Sequence, residues 1–201
     1  MTLRLAFVVL LTLAAGCRVE EDSAPAAVDS TASVAPAPAP TAEPVEQAVM
    51  PVLTLGADGL RLVNPETGSA RPLAFGTAGE TVRGALESMR GPAERSANDE
   101  CGAGPLTFAG WPDGLSLAFQ DSVFVGWSVD GRSEGADVFT TGTGLGIGSP
   151  RALLDSAYAV DIQETTLGTE FRSGGLSGLL SGADADARVT TLWAGTSCSF
   201  R

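Results

Sequence analysis

The chain has 201 residues, with 24 Asp and Glu against 12 Lys and Arg, no histidine and a formal net charge of −12. Every one of its cations is an arginine. Without histidine there is no histidine triad, general base or metal ligand, and without lysine no Schiff base or P-loop phosphate cradle. The acidity opposes nucleic acid and anionic lipid surfaces as partners.

The first seventeen residues read as an export address. Arg4 supplies a short positive region, and Leu5 to Leu13 form an apolar run broken only by Thr12. That run is shorter than the roughly 20 residues a bilayer span requires, and it fits the apolar stretch of a secretory signal. Leu13-Ala14-Ala15-Gly16-Cys17 resembles the lipobox of bacterial lipoproteins, although many carry leucine where Ala14 stands. The resemblance implies a signal peptide of residues 1–16, a diacylglyceryl thioether on Cys17 and an acylated new N-terminus such as a palmitate. Several acyl chains anchor stably where one does not. The expected location is the cell envelope, at the outer membrane or its periplasmic face. Arg18 agrees with the outer membrane, because aspartate after the cysteine commonly marks inner-membrane retention in enteric bacteria.

Residues 17–49 form a lipidated tether. The segment has no hydrophobic periodicity, and Ala35-Pro36-Ala37-Pro38-Ala39-Pro40 at its centre favours extended polyproline II. It cannot bury enough apolar surface to offset the entropy of ordering. Residues 50–201 are long enough for one domain with its own core. They carry 18 Asp and Glu and 10 Arg. With Cys17 assigned to lipid, Cys101 and Cys198 remain as an even pair in an oxidising compartment, and a disulfide between them is expected. Closing a loop of nearly a hundred residues contributes about 4–5 kcal/mol by chain entropy.

Leu60 to Val63, Asn64-Pro65-Glu66-Thr67-Gly68 and Arg71 to Phe75 read as strand, turn and strand. Thr77-Ala78-Gly79-Glu80 is a capping-box pattern, and Val82, Ala85, Leu86 and Met89 form the stripe of an amphipathic helix ended by Gly91-Pro92. Glu94 to Gly104 is polar and reads as a loop. Leu106 and Phe108, then Leu115, Leu117 and Phe119, then Val123, Val125, Trp127 and Val129 alternate as an antiparallel meander with one apolar side. Gly148-Ser149-Pro150 is a second helix start, with Ser149 as cap and Pro150 at the first helical position, and Leu154, Ala157 and Tyr158 supply the stripe. Thr169 to Phe171, Leu176 to Leu180 and Val189 to Trp193 read as strands, with Ala183 to Ala187 as a turn.

The two halves agree in order, which suggests a duplicated helix-plus-meander unit over residues 71–130 and 143–198. Phe75-Gly76-Thr77 faces Ile147-Gly148-Ser149, Pro105 to Phe108 faces Gly168 to Phe171, Asp113 to Leu117 faces Gly174 to Gly178, and Val123 to Trp127 faces Val189 to Trp193. Residues 75–198 resemble small outer-membrane lipoproteins of the BamE/OmlA type, and the tandem arrangement is similar to β-lactamase-inhibitor proteins. The resemblance implies an α+β fold, one antiparallel sheet with helices on one face, and protein-binding surfaces more often than active sites.

Other local signals favour structure over chemistry. Gly126-Trp127-Ser128-Val129-Asp130 lacks the second glycine of a nucleophile elbow, so Trp127 and Ser128 read as alternate faces of a strand. Gly142 to Gly148 has Ser149 where a dinucleotide loop needs its third glycine, and reads as a connection. Arg188 opposes a calcium site at Asp184 and Asp186. Neither a metal nor a cofactor is expected. Trp111, before Pro112-Asp113-Gly114, is a candidate contact anchor at a turn, with packing under the loop the favoured reading of the two.

The leading functional expectation is a membrane-anchored envelope lipoprotein that binds or scaffolds a protein partner and is not an enzyme. The second is an inhibitor of a secreted or periplasmic hydrolase, plugging a cleft with acidic, tryptophan-bearing loops. The third is a carboxylate enzyme acting on sugar polymers through Glu164 and Glu170. The address is directly testable: radiolabelled palmitate is expected to enter the wild-type protein and not Cys17→Ser. Label retained by the variant would rule out Cys17 as the acylated residue.

Overall fold

The computed structural model describes residues 49–198. The expected signal segment, Cys17 and the tether up to residue 48 lie outside the described residues.

Within the described residues the elements run β1 (Val52–Gly56), β2 (Gly59–Val63), β3 (Ala70–Ala74), α1 (Gly79–Arg90), β4 (Glu94–Asn98), β5 (Leu106–Gly110), β6 (Leu115–Gln120) and β7 (Val123–Asp130). A 3-10 turn at Ala136–Val138 leads to β8 (Thr140–Thr141), α2 (Arg151–Ala157), β9 (Asp161–Thr165), β10 (Gly168–Ser173), β11 (Leu176–Leu180) and β12 (Val189–Gly195). The strands form a four-stranded sheet in the order β3-β2-β1-β8 and an eight-stranded sheet in the order β4-β5-β6-β7-β12-β11-β10-β9. The α+β expectation of a single sheet with helices on one face is therefore corrected. The fold is mostly β, with two sheets and two short helices among the described residues.

The small sheet is built by an apolar register. Leu53 pairs with Leu62 and Leu55 with Leu60, and Leu60 also faces Leu73 on β3, so five buried leucines share one face. The hairpin between β2 and β3 forms where the sequence places its turn. The Asn64 side chain accepts the backbone N–H groups of Glu66 and Thr67 at 2.9 and 3.0 Å, an Asx turn that fixes the reversal. β8 joins β1 in parallel through only two residues, Thr140 beside Thr54 and Thr141 beside Leu55.

In the large sheet each helix is followed by four strands in a meander. The two meanders meet where β7 pairs antiparallel with β12. One face of this sheet lies on the core. A row crosses it from Leu115 through Val129, Leu192, Gly178 and Phe171 to Ile162. A second row takes in Ala109, Leu117, Trp127, Ala194 and Leu176. These side chains form one cluster with the five leucines of the small sheet, Val82 and Leu86 of α1 and Leu154 of α2. Trp127 is 1% exposed and its indole N–H donates to the Gly56 carbonyl at 2.8 Å, which ties β7 to the β1–β2 turn.

The expected alternation along β7 is corrected by a bulge. Phe119 faces Phe124, yet Leu117 faces Trp127, so β7 carries one extra residue at this point. Phe124 takes the core side in place of Val123 and Val125, which are only half-buried. The helix starts are corrected as well. α1 begins at Gly79 with Ala78 before it, and α2 begins at Arg151 with Pro150 before it, neither capped by a side chain. The Ser149 hydroxyl instead accepts the Gly146 N–H at 2.9 Å. β1, β4 and β9 were not expected. β4, read as a loop, and β9 are the end strands of the large sheet, where β4 carries Glu94 and Arg95 and β9 carries Asp161, Gln163 and Glu164. Largely solvated strands of this kind lack the alternation that reveals a half-buried one.

Replacing Trp127 by Phe keeps an aromatic ring in the core and removes the donor to Gly56. The expected loss is about 1–2 kcal/mol of unfolding free energy, read as a lower urea midpoint. An unchanged midpoint would show that the hydrogen bond between the sheets adds nothing.

Candidate functional site

The second face of the large sheet is set by the same registers. One row crosses all eight strands: Glu94, Gly110, Ser116, Ser128, Trp193, Ser177, Arg172 and Asp161. Beside it run Asp130, Thr191, Leu179, Glu170 and Gln163 on one flank and Ser96, Phe108, Ala118 and Gly126 on the other. This outer face is rich in hydroxyls with a tryptophan at its centre. It forms a groove of about 400 Å³ whose lining includes Phe108, Ser116, Ser128, Leu179, Thr191 and Trp193. Asn98 and Cys198 also line it.

Charge is arranged in pairs along this surface. Arg132 Nη2 donates to Asp130 Oδ2 at 2.7 Å, and the Arg132 backbone N–H donates to Asp130 Oδ1 at 3.0 Å. The guanidinium hydrogen bond holds the Asp130 carboxyl below the usual carboxylate range, outweighing the upward push of partial burial, and raises Arg132 in turn. Glu170 is 1% exposed and its Oε1 accepts Arg172 Nε at 2.9 Å.

The structure brings Cys101 and Cys198 together. Both are free thiols, and a hydrogen bond shared with Cys101 is the main cause that raises the Cys198 thiol. Trp111, the candidate contact anchor, is 7% exposed and packs in the core cluster. Its indole N–H donates to the Gly91 carbonyl at 3.0 Å. The Arg90 guanidinium lies 5.8 Å from its ring centroid and 4.8 Å from that of Phe139, and the same arginine pairs with Asp113. Trp111 thus locks the end of α1 to the β5–β6 turn.

Glu164 and Glu170 do not converge. Glu164 faces Thr169 across the strands and accepts its hydroxyl at 2.7 Å, whereas Glu170 is the next residue along and points to the other face. Asp184 and Asp186 sit in the β11–β12 connection, and no group of three metal-ligating side chains gathers among the described residues. Ser128 lies mid-strand on β7. The sequence signals of the groove are the offset of Thr191 and Trp193 from Leu192 and Ala194 on β12 and of Ser128 from Trp127 on β7.

No family model and no curated protein matches this chain. Among solved structures it is similar to the crystal structure of the uncharacterized protein yfeY from Escherichia coli, at 15% identity and a TM-score of 0.41, covering 61% of this chain and 96% of that one.

Arg132→Ala is expected to let the Asp130 carboxyl climb toward the ordinary value of about 4. Because that carboxyl is lowered in the folded state, any stability the pair contributes is complete above the ordinary value. It fades as the pH falls through the lowered one. Carboxyl NMR titration reads the shift, and an Asp130 that titrates alike in both proteins would remove Arg132 as the cause.

Proposed function

We propose that this protein is an envelope lipoprotein, anchored through Cys17, whose folded unit binds a partner protein on the outer face of the eight-stranded sheet. The observation that carries the reading is the groove at the centre of that face. Phe108 and Leu179 offer half-buried apolar contact there over the buried Trp193, and Ser116, Ser128 and Thr191 offer hydrogen bonds. An apolar centre with a polar surround is the usual make-up of a protein-binding patch. The hydroxyls come from adjacent strands on a rigid sheet, so their spacing does not depend on loop motion. The acidic surface sets the partner's side as neutral or basic.

The inhibitor reading depends on an exposed tryptophan in a loop, and Trp111 is spent on packing against α1. The sugar-polymer reading depends on two carboxylates in one cleft, and Glu164 and Glu170 lie on opposite faces of their hairpin. The open face therefore supports the binding module best.

A photo-crosslinking residue at Ser128, in the groove, is compared in intact cells with one at Val138, which is 65% exposed in the 3-10 turn. The expected outcome is a discrete envelope-protein adduct from position 128 and not from position 138, lost when Trp193→Ala is added. No adduct from position 128, or equal yields at both positions, would overturn the groove as the binding surface.

A further inference from the structure

Four buried apolar residues stand outside the inter-sheet core: Cys101, Leu106, Ala118 and Trp193. The register places Leu106, Ala118 and Trp193 on the outer face, so something other than the small sheet covers them. Two segments reach that face. The β4–β5 connection is held down by Gln120, whose amide donates to the Ala103 carbonyl at 2.8 Å. The chain after β12 turns at Gly195, where φ is 72°. The Thr196 carbonyl then comes to 2.1 Å from where a Cβ on Gly126 would stand, so the segment crosses the sheet at a residue that has no side chain. At the end of this path the Cys198 sulfur accepts the Asn98 amide at 3.4 Å, three residues before Cys101, whose side chain raises the Cys198 thiol.

We propose that Cys101 and Cys198 form a disulfide that staples the segment after β12 across the outer face of the large sheet and fixes one end of the groove. Two independent segments deliver one cysteine each to a single spot on the outer face. The residue crossed on the way is a glycine, and the neighbours of Cys101 supply the contacts that hold Cys198. The bridge forms by thiol–disulfide exchange with an oxidant of the protein-disulfide or glutathione-disulfide class. Cys198, the more exposed of the two, attacks the oxidant as a thiolate and enters a mixed disulfide, and Cys101 then attacks the Cys198 sulfur, breaking the mixed S–S bond and expelling the oxidant's second thiolate. The S–H bonds of the two cysteines are lost and one S–S bond forms. The oxidant's disulfide takes the two electrons and two protons and leaves as a dithiol or as two thiols. The hydrogen bond with Cys101 raises the Cys198 thiol, and exchange accelerates as rising pH forms the attacking thiolate. The bridge does not depend on what occupies the groove, whereas its formation in cells rests on the exported location proposed above.

The test uses the whole chain, purified reduced and equilibrated with oxidised and reduced glutathione. Arginine is the only trypsin site, so cleavage at Arg95, Arg132 and Arg188 places Cys101 in peptide 96–132 and Cys198 in peptide 189–201. The expected product is a monomer in which these two peptides are joined. Separately glutathionylated cysteines, intermolecular dimers or thiols that stay free throughout would overturn the proposal. Gly126→Ala is expected to shift the equilibrium toward free thiols by about tenfold, because its methyl group displaces the crossing segment. An unshifted equilibrium in that variant would overturn the staple's path across the sheet. A chain that forms the bridge in vitro, but carries free thiols when recovered from exporting cells, would count against the envelope location and leave the pair standing.

Discussion

The antiparallel pairing of β7 with β12 is the contact on which the rest of this structure depends. It joins residues 126–130 to residues 191–195, far apart along the chain, and converts two four-stranded meanders into one continuous sheet. Such a distant pairing forms against a loop-closure cost that local hairpins avoid. The core row from Leu115 to Ile162 and the outer row from Glu94 to Asp161 both run through it. A one-residue slip of β12 here would carry Leu192 and Ala194 out of the core and Trp193 into it. The register is held on one side by the fit of Trp127 beneath the β1–β2 turn, and on the other by the backbone bond from Thr196 to Val125 at 2.8 Å.

Much of the local structure was legible because it is written in local chemistry. The β2–β3 hairpin announces itself through Asn64 and Gly68, and the stripe of Val82 and Leu86 through its spacing; both residues are fully buried. What was not legible is set by distant neighbours. β8 is two residues long and becomes a strand only because β1 lies alongside it, so nothing in Thr140 and Thr141 gives away a second sheet. β4 and β9 are solvated end strands without a repeating apolar pattern. The bulge in β7 is invisible in a run of alternating valines, since it is defined by what β6 places opposite. With the second sheet hidden, two helices and several hairpins read as an α+β arrangement.

The same division holds at the candidate site. Counting cysteines singles out Cys101 and Cys198, and the structure sets them side by side, because parity in a sequence survives folding. Trp111 shows the opposite. A large aromatic residue before a Pro-Asp-Gly turn can reach outward or, the favoured reading, seal inward. Arg90, two rings and the Gly91 carbonyl decide for the interior. The groove depends on side chains that alternate away from the core on strands from both halves, so no single stretch of sequence contains it.

Both margins of the large sheet are strands with one free side, and their backbone groups there could pair with another chain. Glu94 and Arg95 stand on one margin, and Asp161, Gln163 and Glu164 on the other. An incoming strand would have to strip water from these groups before gaining any main-chain bond. Two copies meeting edge to edge would face that cost at either border. The polar borders thus keep neighbouring copies apart.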